Sequence, residues 1–491
     1  MDPNYKSRKE AFVSNLTGGS ILEINAVTLV APASVFLWSV VRSRLDGPAA
    51  LITDFLLNVL AILFATTLYA SAPWLLNLLL ISPALLILLL NPRPRRTNTK
   101  AKPPQAAASQ DGSDAAMSLP IHPFLTTYRA AMMIITCIAI LAVDFRVFPR
   151  RFAKAENWGT SLMDLGVGSF VFSGGVVSAR SVLKDRISGV SAKKSLAQRF
   201  TSSIRHSIPL LVLGLTRLYS VKNLEYAEHV TEYGVHWNFF FTLGFLPPFV
   251  EIFEGLATII PSYEILSLAV AVLYQVALES TDLKGYILVS PRGPDLLSKN
   301  REGVFSFLGY LAIFLAGRAT GIRVIPSGLS TTPQQARKRV LTSLGVLALG
   351  CSALFALNST YFLGYGAGIP VSRRLANMPY VLWVAAFNNA QLFLFCSIET
   401  LFFPSIHRAP SSAKNEEAKR TALATSPILE AFNRGGLAVF LIANLLTGAV
   451  NLTVPTLDVN DGQAMVILVA YAAVITAVAL GLDKANIKIA L

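Results

Sequence analysis

Long apolar runs alternate with short charged segments along the whole chain. A bilayer's hydrocarbon core is crossed by a helix of about 20 apolar residues. Thirteen runs approach that length: 25–41, 51–69, 73–91, 127–143, 160–178, 208–219, 234–252, 263–279, 303–318, 339–361, 378–402, 435–453 and 463–482. The pattern predicts an all-α, polytopic integral membrane protein with about thirteen transmembrane helices, one domain over residues 1–491. The run at 208–219 is short and interrupted by Arg217, and without it every later span would change direction. Segments 92–122 and 405–427, rich in Pro, Ala, Ser and Lys/Arg, read as flexible cytosolic linkers. No pair of equivalent broken helices, the mark of many secondary transporters, is visible.

Charge gives these spans an orientation. With the N-terminus lumenal and the sides alternating, 25 Lys/Arg fall in cytosolic segments and 14 in lumenal ones. Basic residues collect on the cytosolic side of membrane proteins, so this split predicts a lumenal N-terminus and a cytosolic C-terminus. Three lumenal loops depart from the rule. One holds Arg146, Arg150, Arg151 and Lys154, the next Lys284, Arg292, Lys299 and Arg301, and the third Arg373 and Arg374. Two explanations fit: a phosphate-bearing ligand, or the blander one of ion pairs with Asp282, Asp295 and Glu302 or mere solvation.

Composition agrees with the pattern. Of 491 residues 53% are hydrophobic and 14% charged, with mean hydropathy +0.54 and net charge +14. Soluble proteins carry about 25% charged residues. No basic folded region stands apart from the spans, so nucleic acid is not an expected partner. Cys137, Cys351 and Cys396 all lie in apolar runs and read as packing residues, so no metal site is expected. The opening MDPNYKSRKE is polar and does not read as a cleavable signal peptide.

Candidate chemistry concentrates in DFRVFPRRFAKAENWGTSLMDLGVGSFVFSGG, residues 144–175. Asp144 closes the fourth span. A carboxylate at a dehydrated edge has a raised pKa and can accept a proton from a hydroxyl. Lys154, ten residues on, could orient that carboxylate or meet a developing oxyanion; a loop-holding ion pair is the other reading. Asp164 is a second acid, inside the fifth span beside Gly166 and Gly168, and could equally bond a neighbouring helix. His236 opens the seventh span in EYGVHWNFFF and is a reserve base. Trp237 beside it suits an interface anchor. Asn238, Arg301 and Asn388 are polar groups in apolar context that would either bond across helices or line a head-group pocket.

Several long blocks bear a family resemblance. KEAFVSNLTGGSILEINAVT (9–28), DFRVFPRRFAKAENWGTSLMDLGVGSFVFS (144–173), EYGVHWNFFFTL (232–243), REGVFSFLGYLAIF (301–314), SRRLANMPYVLWV (372–384) and FLIANLLTGAVNL (440–452) are similar to the inositol acyltransferases of glycosylphosphatidylinositol (GPI) anchor synthesis, the fungal GPI-anchored wall transfer proteins and their PIG-W relatives. The resemblance spans almost the whole chain. It implies an endoplasmic reticulum enzyme that moves a fatty acyl chain, typically palmitoyl, from acyl-coenzyme A to the inositol 2-hydroxyl of glucosaminyl-phosphatidylinositol. It implies Asp144 and Lys154 as the catalytic pair. Arg146, Arg150, Arg151, Asp164, Trp237, Asn238, Arg301, Arg373, Arg374 and Asn388 are then candidate substrate contacts. The thioester is already activated, so no tightly bound cofactor is expected; acyl-coenzyme A is a co-substrate, and membrane lipids are the remaining partners. A transporter or flippase for an anionic lipid or nucleotide is the rival class, and a non-catalytic scaffold the third.

Overall fold

The computed structural model describes residues 5–90, 119, 122–188, 195–222, 230–257, 259–325, 333–360, 366–404, 406 and 414–487. A short helix, α1 (Tyr5–Val13), precedes a bundle. The bundle begins with α2 (Ile21–Thr28) and α3 (Val30–Val41), which form one span. In the next span α4 (Gly47–Phe55) and α5 (Ala61–Thr66) flank a π-helical turn at Leu56–Leu60. Then follow α6 (Pro73–Leu90), α7 (Pro123–Ala142), α8 (Leu162–Ser188) and α9 (Leu196–Lys222). A one-turn helix α10 (Val230–Tyr233) leads to α11 (Phe239–Leu256) and α12 (Tyr263–Ser280). Two small helices, α13 (Leu283–Leu288) and α14 (Leu296–Lys299), precede α15 (Arg301–Val324), α16 (Pro333–Ser359) and α17 (Met378–Phe402). Last come α18 (Lys414–Ala424), α19 (Pro427–Arg434), α20 (Gly436–Thr453) and α21 (Asp461–Lys484).

The helices start where side chains satisfy free backbone N–H groups. Ser20 accepts from Glu23 N, Asn238 from Phe240 N and Phe241 N, and Asn377 from Tyr380 N. Asn460 and Gln463 form a reciprocal capping box. Small residues then set how close the helices come. A methyl group on Gly175 would lie 2.1 Å from Phe314 O, and one on Gly317 2.1 Å from Phe172 O. α8 and α15 therefore touch backbone to backbone, as small-residue contacts permit in membranes.

Among the described residues, twelve helical spans are long and apolar enough to cross a membrane. The expected run at 208–219 is not among them, because it lies within the longer and more polar α9. Connectivity nevertheless carries α9 through the bundle. Asp164 at the start of α8 and Glu232 after α9 bond the same guanidinium, that of Arg373. The chain leaves that end along α8 and must return along α9. At about 1.5 Å per residue its 27 residues reach about 40 Å. It runs antiparallel to α11: Gly214 faces Phe241, while Gly244 faces Leu211. Among the described residues α9 thus adds a thirteenth crossing to the twelve apolar spans.

Of the two expected linkers, 92–122 lies outside the described residues except for Leu119 and His122, both buried. Segment 405–427 differs from the expectation where it is described: Lys414–Ala424 is helical, and Ser426 is buried and bonded to Asp54 at 2.6 Å.

Candidate active site

The loop 144–160 has no regular structure of its own beyond one 3-10 turn at Arg150–Phe152, so its shape depends on what fastens it. Glu156 N donates to Leu16 O at 2.8 Å, Gly19 N to Thr160 O at 2.7 Å and Gly159 N to Val371 O at 2.9 Å. Gly159 sits at φ +128°, where a methyl group would lie 2.0 Å from Thr17 O. Only glycine fits there. The Ser372 hydroxyl donates to Asn157 O at 2.6 Å. Segments distant in sequence therefore hold the loop over the ends of α7 and α8.

Asp144 lies just beyond α7, half-buried. Its Oδ2 accepts from Asn451 Nδ2 at 2.7 Å. Burial raises its pKa, and the Asn451 bond, Lys9 and Arg150 offset part of that rise. Arg150 donates through Nη2 alone to the carbonyls of Val143, Phe145 and Phe148, at 2.9, 3.1 and 2.7 Å, and its guanidinium lies 3.8 Å from the centre of the Phe12 ring. Burial brings its pKa down to about 10, against the pull of Asp144.

Lys154 does not bond Asp144. Its Nζ donates to Glu232 Oε1 at 2.6 Å. Glu232 Oε1 also accepts from Arg373 at 3.3 Å, and Arg373 Nε donates to Asp164 Oδ1 at 2.7 Å. Asp164 Oδ2 takes two further donors, Ala155 N and the Ser161 hydroxyl, at 3.0 and 2.8 Å. Burial by itself would raise the Glu232 pKa, but Lys154 and Arg373 bring it down to about 2. Burial would lower that of Arg373, yet Glu232 and Asp164 drive it well above the usual value. The half-buried Glu232 carboxylate, backed by the buried Arg373–Asp164 pair, thus holds an ammonium that is a third exposed.

A second charged knot lies beside the first. Glu302, fully buried, accepts from Arg292 at 2.6 and 3.0 Å and from Arg374 at 3.0 Å. Arg374 also donates to Asn157 Oδ1 at 2.6 Å. Arg301 donates to the carbonyls of Ser290 and Pro291. Of the two explanations for the basic loops, ion pairing accounts for Arg373 and Arg374, because both are buried and bonded to acids. Arg151 likewise pairs with Glu23 at 2.8 Å, whereas Arg146 is exposed.

The remaining candidates are largely committed to local contacts. Asn300 Oδ1 accepts from His236 N and Trp237 N, and Asn300 Nδ2 lies 3.4 Å from His236 Nδ1. Trp237 Nε1 donates to Thr242, and Asn238 Nδ2 to Gly214 O. Asn388, fully buried, accepts from the Tyr128 hydroxyl at 2.6 Å. Asn388 also lines an almost wholly apolar cleft, together with Ile135, Leu165, Gly166, Phe387 and Phe395. The cleft starts next to Asp164 and descends between α3, α7, α8 and α17.

Sequence reading missed Glu232 and Lys9 as members of the site; it named Glu302 only as an ion-pair acid and Asn451 only as a polar group in an apolar stretch. Glu232 and Glu302 carried a usable signal, since acids were needed opposite the basic loops. Lys9 carried none, because it meets Asn451 and, through it, Asp144 only in the folded chain.

The GWT1 family model matches residues 5–482. GPI-anchored wall transfer protein 1 of Emericella nidulans is 81% identical over 498 residues, covering 100% of both chains. The protein of that name from Aspergillus oryzae is 72% identical over 504 residues, again 100% of both. That from Candida albicans is 40% identical over 514 residues, 100% of both.

Proposed function

The chain belongs to the GWT1 family, and on that premise we propose that it works in GPI-anchor biosynthesis as an acyl-coenzyme A-dependent O-acyltransferase. It moves a fatty acyl chain, typically palmitoyl, to the inositol 2-hydroxyl of glucosaminyl-phosphatidylinositol. The observation that carries the reading is a juxtaposition. An apolar cleft reaches Leu162 and Leu165, which flank Asp164, and the Asp164 carboxylate accepts from Ala155 N in the loop that bears Asp144 and Lys154. An acyl chain needs the first, and proton transfer at its carboxyl end needs the second.

In this mechanism Asp144 takes the proton of the inositol hydroxyl, and the oxygen attacks the thioester carbonyl. Burial makes Asp144 a stronger base than a surface carboxylate. The resulting oxyanion collapses, the carbon–sulfur bond breaks, and coenzyme A leaves as the thiolate, which takes up the proton that Asp144 gives back. Lys154, aimed by Glu232 rather than by Asp144, supplies positive charge to the oxyanion. The apolar cleft keeps water from the thioester. The site end of the bundle, with α1, faces the lumen of the endoplasmic reticulum, and the C-terminus faces the cytosol.

The test is direct: purified protein, labelled palmitoyl-coenzyme A and glucosaminyl-phosphatidylinositol. The expected result is an alkali-labile acylated inositol lipid and free coenzyme A in equal amounts. Absence of product from folded protein supplied with both substrates would overturn the reading.

A further inference from the structure

α1 lies across the site end of the bundle and is fastened there by side chains far away in sequence. Tyr5, buried, accepts from Leu457 N at 3.2 Å. Arg8 pairs with Asp458 at 2.5 Å, and Phe12 lies under the Arg150 guanidinium. Between these fastenings Lys9 Nζ donates to Asn451 Oδ1 at 2.5 Å. The same amide donates through Nδ2 to Asp144 Oδ2 at 2.7 Å.

The order of groups matters. An ammonium can only donate and a carboxylate can only accept, so a single amide joins them with its oxygen toward Lys9 and its NH₂ toward Asp144. Both ends of the amide are then set. One oxygen of Asp144 is fixed, and no described residue donates to the other, Oδ1. The charged groups facing Asp144 are Lys9 from α1 and Arg150 from its own loop; Asn451, on α20, is uncharged. Arg150 donates through Nη2 to three carbonyls and, among the described residues, makes no hydrogen bond to Asp144. Lys9 is therefore the cation whose charge reaches the carboxylate through a directed hydrogen bond.

We propose that Lys9 and Asn451 are positioning residues for Asp144, and that α1 is a strap that carries the Lys9 charge to the site. This rests on Asp144 being the base in the proposed reaction. Removing the cation then has two effects. The carboxylate loses part of its orientation, so kcat falls. Its charged form also loses support, so its pKa rises and the acid limb of the pH–kcat profile moves to higher pH.

The experiment uses the full chain in detergent, with palmitoyl-coenzyme A and glucosaminyl-phosphatidylinositol. Lys9→Met is expected to lower kcat about tenfold, well short of the roughly 10²–10⁴ of base removal, with KM for both substrates unchanged. Its acid limb is expected to move up by about one pH unit. Lys9→Arg restores the limb, because the charge is kept. Asn451→Leu moves it in the same direction as Lys9→Met. Lys9→Gln, which keeps a donor without the charge, stands in if Lys9→Met melts early. A wild-type kcat and acid limb in folded Lys9→Met or Lys9→Gln, alongside inactive Asp144→Asn, overturns this inference alone. An active Asp144→Asn overturns the assignment of the base, and this inference with it.

Discussion

Lys154 Nζ lies 2.6 Å from Glu232 Oε1, and through Glu232 it is tied to Arg373 and Asp164. The ammonium assigned to catalysis is thus the exposed end of a buried charge chain drawn from four segments. A flexible side chain is held in one place by groups that are themselves fixed, which is what preorganised electrostatic catalysis requires.

Glu232→Gln should therefore act on both rate and stability. The native Glu232 pKa is about 2, below its ordinary 4.5. A depressed carboxylate contributes stability that is complete above the unfolded pKa and is lost as pH falls through the folded one. Melting temperature in detergent should fall from about pH 4.5 toward 2, and Glu232→Gln should flatten that fall. At neutral pH the same variant should lower kcat more than it raises KM. An unchanged kcat would remove Glu232 from the site.

Asp144→Asn preserves shape but not proton acceptance. It should cost about 10²–10⁴ in kcat, with substrate binding retained. Lys154→Ala should also lower kcat. If both act in one step, the double variant should be little worse than the poorer single variant. Full activity in Asp144→Asn, with activity abolished in folded His236→Ala, would move the base to His236.

Arg373→Ala leaves Asp164 and Glu232 without their shared cation. Breaking a buried pair in this way costs about 3–5 kcal/mol, so the variant should melt early or fail to accumulate. Arg374→Ala should lower the melt less, because Glu302, to which Arg374 donates at 3.0 Å, keeps its two bonds from Arg292. Thermal unfolding distinguishes this from a ligand clamp: a clamp would leave the melt unchanged and raise KM for one phosphate-bearing substrate.

The cleft makes a prediction about substrate length. A methyl group on Gly166 would meet only the Thr136 hydroxyl, at 3.9 Å, so a larger side chain projects into space. Gly166→Leu should shift selectivity in kcat/KM from palmitoyl toward shorter acyl chains, by about 10–200-fold for a pocket contact of this size. Competition between acyl-coenzyme A chain lengths measures it. Undiminished preference for palmitoyl would remove the cleft from the acyl path.

Orientation is testable separately. A glycosylation tag should be modified between Lys222 and Val230 and unmodified within 92–122. The opposite result would put the site end of the bundle in the cytosol.

Hydropathy alone determined that this is an all-α membrane protein, because each span must satisfy its backbone internally and shows as an apolar run. Charge bias and the block at 144–175 marked the region of the site, since charge is rare at a membrane edge unless it is paired or used. The number of crossings was legible only with help: α9 is too polar to qualify by hydropathy, and the shared Arg373 partner of Asp164 and Glu232 is what carries it through. Pairing was not legible at all. Asp144 and Lys154 are ten residues apart, yet one bonds Asn451, 307 residues away, and the other Glu232, 78 away. Burial decided this. A basic loop in water keeps its charges solvated, but once it is packed under α1 and the 371–377 segment each cation taken out of water must find an acceptor on whichever element lies against it. Sequence supplies the charges, and only the packing of distant helices assigns their partners.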